Sequence, residues 1–366
     1  MGNSARWSED VTVREIPVLR LIAAAWLVFV VVAAGMIAWE LQMRSLGLHA
    51  GDLDDSPSHW AVERRKLEAG DHDGVVIFGS SRLLFDTDLD AWNQMTGRRP
   101  IQLALPGTNP RPFLVRFAEE SDFAGLIVVD VTPELYFSGL VSALPEFRNV
   151  QDFWQEESPS QRFGHQVGLA LSRYFAFLED QYTLTTLIEQ IDIPNRKGVR
   201  GPYMTVWKLS ESTAGRQTRM WPRLETDQRL QDHAMRVWMS RDRGRLDADL
   251  LARAIDESRQ AIEKIRARGG EVVFIRPPSR SAYHEREERN VPRVKSWDPL
   301  LRETGAFGIN FEDYPEMQGL EIPEMSHLSR ESATRFTRAY VDVILKNVPW
   351  LSSHSMNSPA AGEIHG

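Results

Sequence analysis

Three short clusters hold residue types that could carry acyl chemistry: Gly79-Ser80-Ser81-Arg82, Leu105-Pro106-Gly107-Thr108-Asn109-Pro110 and Glu324-Met325-Ser326-His327-Leu328-Ser329. A serine hydroxyl becomes a nucleophile when a histidine takes its proton, and a carboxylate on the other ring nitrogen holds that histidine in the right tautomer. Glu324, three residues before His327, is spaced to orient one imidazole nitrogen and leave the other free as a base. Glycine at 107 lets a backbone N–H approach a ligand closely, as an oxyanion donor must. Each cluster also has a plain structural reading. Ser80 and Ser81 fit a helix N-cap, Gly107 an ordinary glycine-proline turn, and acid-x-x-His a surface accident. Among the other histidines, His284 in a charged loop is the nearest rival.

The elements that must position these residues are legible in outline. The first cluster follows Gly74–Phe78, a short β-branched run of the kind buried on both faces of a parallel sheet. The second ends Ile101–Leu105, while Gly125–Val131, Glu271–Ile275 and Ile309–Phe311 supply further strands. Helical spacing marks Pro112–Glu120, Asp249–Arg268 and Ser329–Lys346, so the expected class is α/β with a parallel sheet of about five strands. Such sheets bind ligands outside the carboxyl ends of their strands, where Ser81 and Gly107 fall. Arg82 and Arg276 reach the same edge as candidates for an anionic glycan or phosphate, with a structural ion pair as the alternative for Arg276. Residues 137–248 break the pattern and read as a helical insertion containing the candidate helix Val167–Ile191. Its Trp207, Trp221 and Trp238 would line a sugar cleft or pack a core.

Composition narrows the partners. A net charge of −8 argues against nucleic acid, and the absence of cysteine excludes disulfides, thiolate nucleophiles and cysteine-based zinc sites. No His/Asp/Glu cluster has ligand spacing, so neither a metal nor another cofactor is expected. Leu21–Trp39 is a run of 19 residues without a charge. It predicts a transmembrane helix over 17–40, with Arg20 snorkelling outward and the lipid bilayer as a partner. A poor A-x-A match argues against a cleaved signal peptide. Arg6, Arg14 and Arg20 precede or open the span, against Arg44 after it, which puts residues 1–16 in the cytoplasm and everything after about residue 41 outside. Residues 41–73 are expected as a stalk, 74–350 as the domain and 351–366 as a disordered tail.

The order of the three clusters resembles the SGNH (GDSL-like) hydrolase superfamily over most of residues 74–347. The resemblance implies a three-layer α/β/α fold with Ser81 as nucleophile, and Ser80 standing where Asp is usual. Gly107 matches the glycine of the family's second block, His327 its catalytic histidine, and Glu324 the position usually held by Asp. The oxyanion hole would be formed by the backbone N–H groups of Ser81 and Gly107. The third block departs: the family carries Gly-x-Asn-Asp there, whereas Val129-Asp130-Val131-Thr132-Pro133-Glu134 puts Pro133, which has no N–H, in place of Asn. Asn109 and Arg82 are the candidate substitutes. The Gly-Ser-Ser-Arg form is similar to membrane-anchored members of bacterial envelope-polymer O-acetylation and D-alanylation. It implies a single-pass inner-membrane protein with a periplasmic domain that transfers acyl groups, acetyl foremost, to an exported polysaccharide or other envelope polymer. A membrane-bound acyl-donor protein would be its partner. A periplasmic carbohydrate esterase or deacetylase is one alternative, and a catalytically inactive scaffold subunit is the other.

Overall fold

In the computed structural model, residues 18–53, 55–68, 73–137, 145–179, 206, 208–240 and 246–355 are described. Short runs of Val, Ile, Leu and Phe become the strands β1 (Val75–Phe78), β2 (Ile101–Gln102) and β3 (Leu126–Asp130). After the hairpin β4 (Ser210–Ser212) and β5 (Thr218–Met220) come β6 (Glu271–Arg276) and β7 (Phe307–Asn310). Five of these pair in parallel in the order β2-β1-β3-β6-β7. The chain steps outward from β1 to β2 and then returns to β3, so the direction of winding reverses between β1 and β3. That crevice is where a doubly wound sheet receives its ligand.

Period-two alternation divides the strand residues between two cores. Val76, Phe78, Ile127, Val129, Val272 and Phe274 face one side, together with Phe113, Phe117 and Ile262 from the helices Arg111–Glu120 and Ala248–Ala267. Val75, Ile77, Leu126, Val128, Val273 and Ile275 face the other, against Leu83, Trp92, Phe336 and Tyr340. Helices therefore cover both faces, which is why the strands read as unbroken apolar runs. Beyond β2 the chain keeps following β1, with the Leu103 and Leu105 N–H groups donating to the carbonyls of Ile77 and Gly79 at 2.9 Å each.

Four boundaries differ from the sequence expectations. The N-terminal apolar helix runs from Val18 to Ser45 rather than ending at 40. It is long and apolar enough to cross a membrane, and none of its most apolar stretch is buried in the protein. Residues 41–73 are not a free stalk: Met43 and Leu48 pack on Trp221, and Trp60 and Leu67 of the helix Pro57–Glu68 belong to the first sheet core. The insertion is not wholly helical, since it contains the antiparallel β4–β5 hairpin. Arg216, at the hairpin turn, is fully buried and donates to the carbonyls of Gln102 and Ala104 at 2.7 and 2.9 Å while pairing with Asp55 at 2.7 Å. Those are exposed-edge carbonyls of β2 and its extension, so the hairpin blunts an edge that would otherwise be open. Finally, Pro349–Ser355 is a helix with Leu351 buried, so the expected tail starts later; residues 356–366 lie outside the described residues. The expected helix Val167–Ile191 ends at Ser172, and its part from 180 onward is likewise outside them, as is Trp207.

Candidate active site

Strand β1 delivers the first cluster. Gly79 follows it in a crowded position: an added Cβ would meet the Cβ atoms of Asp130 and Leu83 at 3.0 Å and of Ala104 at 3.2 Å, so these neighbours would have to yield. Ser80 then caps the helix Ser81–Asp86, its Oγ accepting from the Arg82 N–H at 3.2 Å. The Ser80 hydroxyl donates to the Asp130 carboxyl at the end of β3, and its N–H donates to the same oxygen at 2.8 Å. The capping role that serine invites is thus taken by Ser80, which leaves the hydroxyl of Ser81 for other chemistry.

That hydroxyl lies 2.9 Å from Nε2 of His327. Nδ1 of His327 is 2.8 Å from Oε1 of Glu324, which also accepts the His327 backbone N–H at 2.6 Å. Both His327 and Glu324 are buried, whereas Ser81 is half-buried. The three residues singled out for catalysis therefore form one hydrogen-bond chain, serine to imidazole to carboxylate. This orders the roles: with Nδ1–H held by Glu324, the free lone pair of Nε2 faces the serine proton. The turn that permits it places Met325 at φ +75°, in the left-handed region that a side chain disfavours.

A residue that the sequence reading left undecided completes the arrangement. Trp238, on the insertion helix Gln228–Ser240, donates its indole N–H to Oε2 of Glu324. Its ring also stands edge-on to His327, with centroids 5.8 Å apart, and Phe85 covers His327 at 4.6 Å. Both oxygens of the buried carboxylate are thereby hydrogen-bonded, as a buried charge requires. Nothing local to residues 228–240 marks Trp238 for this position; the contact spans 86 residues.

The other candidates separate. Gly107, half-exposed at φ +66°, lies two residues past the Leu105–Gly79 bond, which sets its loop beside the Ser81 turn. Asn109 was expected as an oxyanion donor, but it is fully buried. Its amide N–H donates to the Tyr136 carbonyl at 3.1 Å, and its Oδ1 accepts the Arg111 N–H at 2.9 Å. It holds the start of the next helix. Arg82 is not exposed to substrate either. It is buried over Tyr283, pairs with Glu287 at 2.8 Å, and donates from Nε to the Ser326 hydroxyl at 3.3 Å. The arginine next to the serine thus ties that turn to the residue next to the histidine. Arg276 takes its alternative reading: it is buried and paired with Glu288 at 2.5 Å. The rival His284 pairs instead with Glu312 at 3.3 Å and Ser279 at 3.1 Å. Pro133 opens the short helix Pro133–Tyr136, and the adjoining Glu134 carboxylate is held by Arg286 at 2.9 Å and Asn290 at 2.8 Å. Trp221 packs a core.

Two further carboxyls lie under the site. Burial raises the pKa of Asp86 well above the ordinary value near 3.8, helped by the neighbouring Glu324 and Asp130 and opposed by the Leu328 N–H and Arg82. Asp86 Oδ1 accepts the Leu328 N–H at 2.9 Å, while Oδ2 has no protein partner. Burial also raises Asp130, against the hydrogen bonds from Ser80. No protein-family model and no curated protein matches the chain.

Proposed function

We propose that this chain is a membrane-anchored serine acyltransferase of SGNH type acting on an exported envelope polymer. The observation that carries the reading is the continuous bond chain from Ser81 through His327 to Glu324. Ser81 Oγ attacks the acyl carbonyl of a donor while His327 Nε2 takes its proton; His327 then returns that proton to the departing group. The oxyanion is met by the backbone N–H groups of Ser81 and Gly107. A polymer hydroxyl attacks the acyl-serine, passes its proton to His327, and Ser81 is regenerated by taking the proton back. Acetyl is the acyl group favoured by the resemblance, and a membrane-bound acyl-donor protein is the implied partner. The helix Val18–Ser45 anchors the protein in a bacterial inner membrane, N-terminus cytoplasmic, with the domain in the periplasm.

One observation favours a second reading. Pro133 offers no N–H where the family has an oxyanion-donating Asn, and Asn109 and Arg82 are both engaged elsewhere. Removing one such donor costs on the order of 10²–10³ in rate. A binding or scaffold subunit with a silent site is the form this reading takes.

Incubating the detergent-solubilised full chain with p-nitrophenyl acetate separates the two. Intact mass should show an acetyl adduct on the natural chain and none on Ser81→Ala, with turnover falling on the order of 10⁴-fold or more. An acetyl adduct that persists in Ser81→Ala would sink the nucleophile assignment, and no adduct on either would favour the scaffold. Faster transfer to an oligosaccharide than to water distinguishes a transferase from an esterase.

A further inference from the structure

The helix Pro159–Ser172 buries none of its residues. At about 100° per residue, His165, Gly168, Leu169 and Ser172 fall on one side and are half-buried against the domain. Phe163, Val167, Leu171 and, just past the helix end, Tyr174 share an arc of about 80° on the opposite side. Phe163 and Tyr174 are each 71% exposed. An amphipathic helix on a water-soluble surface turns its apolar stripe inward. This one turns it outward.

Its position says what it meets. The Ser172 carbonyl accepts the Gly51 N–H at 2.6 Å, and the Tyr174 carbonyl accepts from Arg44 at 3.4 Å. The N–H groups of Ala176 and Phe177 donate to the Glu40 carboxylate at 3.1 and 3.0 Å. All of these partners lie at the end of the helix Val18–Ser45 or just beyond it. At 1.5 Å per residue that helix is about 42 Å long, against roughly 30 Å of hydrocarbon, so its last turns emerge at the headgroups. The stripe therefore starts at the level where the anchor leaves the bilayer. Arg173 lies exposed on one flank of it, where a cation suits lipid phosphates, while Arg162 on the same flank is paired with Glu157 at 3.2 Å.

We infer that Phe163, Val167, Leu171 and Tyr174 rest in the headgroup–acyl boundary of the membrane, giving the domain a second contact with the bilayer beside its anchor. The inference rests on the reading of Val18–Ser45 as membrane-spanning.

The chain has no cysteine, so single labels are clean. Nitroxides would be attached to Val167→Cys, Val28→Cys and Val294→Cys in the full chain, reconstituted into phosphatidylcholine–phosphatidylglycerol vesicles. Collision with oxygen, which enters lipid, would be compared with collision with a water-soluble nickel chelate. The oxygen-to-nickel ratio should be several-fold higher at 167 and 28 than at 294, which is 71% exposed on the short 3₁₀ turn Arg293–Lys295. If 167 meets nickel as readily as 294 while 28 stays in lipid, the stripe is wrong and the anchor stands. If 167 is shielded from both reagents, protein covers it and the inference fails in the same way. If 28 meets nickel, the anchor reading falls and takes the inference with it.

Discussion

Ser81 and His327 sit 2.9 Å apart but are held there by opposite means. The serine comes at the end of a buried strand. Its turn is set by Gly79, where a Cβ would press on three neighbouring Cβ atoms, and by Ser80, which caps the helix and binds Asp130 on the adjacent strand. The histidine comes on a loop whose conformation is unfavourable in itself. A non-glycine residue at positive φ, here Met325, costs roughly 1–3 kcal/mol and persists when surrounding contacts over-determine it. Those contacts are distant in sequence: Arg82 reaches Ser326 across 244 residues, Asp86 reaches Leu328 across 242, and Trp238 reaches Glu324 across 86. The Ser81 end is a local structure placed by the sheet. The His327 end is a tertiary structure, and it can fail without Ser81, His327 or Glu324 changing.

Breaking the tie between the two ends gives the largest effect. Arg82→Met leaves Glu287 charged and buried without its partner, and loss of one member of such a pair costs about 3–5 kcal/mol. The denaturant midpoint should fall accordingly and be substantially restored in Arg82→Met with Glu287→Gln; no recovery would mean that the cost comes from the lost Arg82–Ser326 link and packing rather than from the orphaned Glu287. A medium effect isolates the His327 end. Trp238→Phe keeps the ring against His327 and removes one hydrogen bond to a buried carboxylate, worth about 1.5–3 kcal/mol. Acylation by p-nitrophenyl acetate should slow about 10- to 100-fold with the circular dichroism unchanged. An unchanged rate would show that Glu324 needs only its own loop.

The smallest effect concerns Asp86, which belongs to the helix Ser81–Asp86 and bonds the histidine loop. Its pKa in the folded state is raised above the ordinary value near 3.8. Its contribution to stability is therefore complete below that ordinary value and lost as pH rises through the folded one. Asp86→Asn supplies a permanently neutral side chain. Unfolding free energies of variant and natural chain should converge at acid pH and separate in the variant's favour as pH rises above the ordinary carboxyl value near 3.8, by about 1–3 kcal/mol. Parallel curves across the range would show that Asp86 titrates in the folded state as it does in water.

How far the molecule could be read in advance follows the same division. The five parallel strands were legible because burial on both faces leaves apolar runs such as Val75–Phe78 and the Leu126, Ile127, Val128 and Val129 that precede Asp130. Ser81, Glu324 and His327 were legible as types at characteristic spacings, and the structure brings them into one chain of hydrogen bonds. Arg82 and Asn109 were misplaced, and Arg276 left open, because a polar side chain near a strand end reads the same whether it faces substrate or a buried partner. Glu287, Glu288 and Tyr136 decide that, and none of them is near in sequence. The segment 41–73 looked like a stalk because it is charged. Yet Trp60 and Leu67 face the core while Arg64 reaches Trp154 on the neighbouring helix Pro145–Glu156 and Arg65 reaches Glu157 just past its end.

The sequence by itself determined what depends on local pattern: an apolar N-terminal helix, an alternating strand-and-helix plan, and the residue types for acyl chemistry. Period and run length are set by near neighbours along the chain, so they survive without knowledge of the fold. The tertiary structure alone decided which serine caps and which is free, which arginines are bolts, and that a tryptophan from the insertion holds the acid. It also turned the stripe of Pro159–Ser172 outward beside the end of the apolar N-terminal helix. Those outcomes depend on desolvation and on partners tens to hundreds of residues away, and a buried polar group takes whichever partner the fold brings to it.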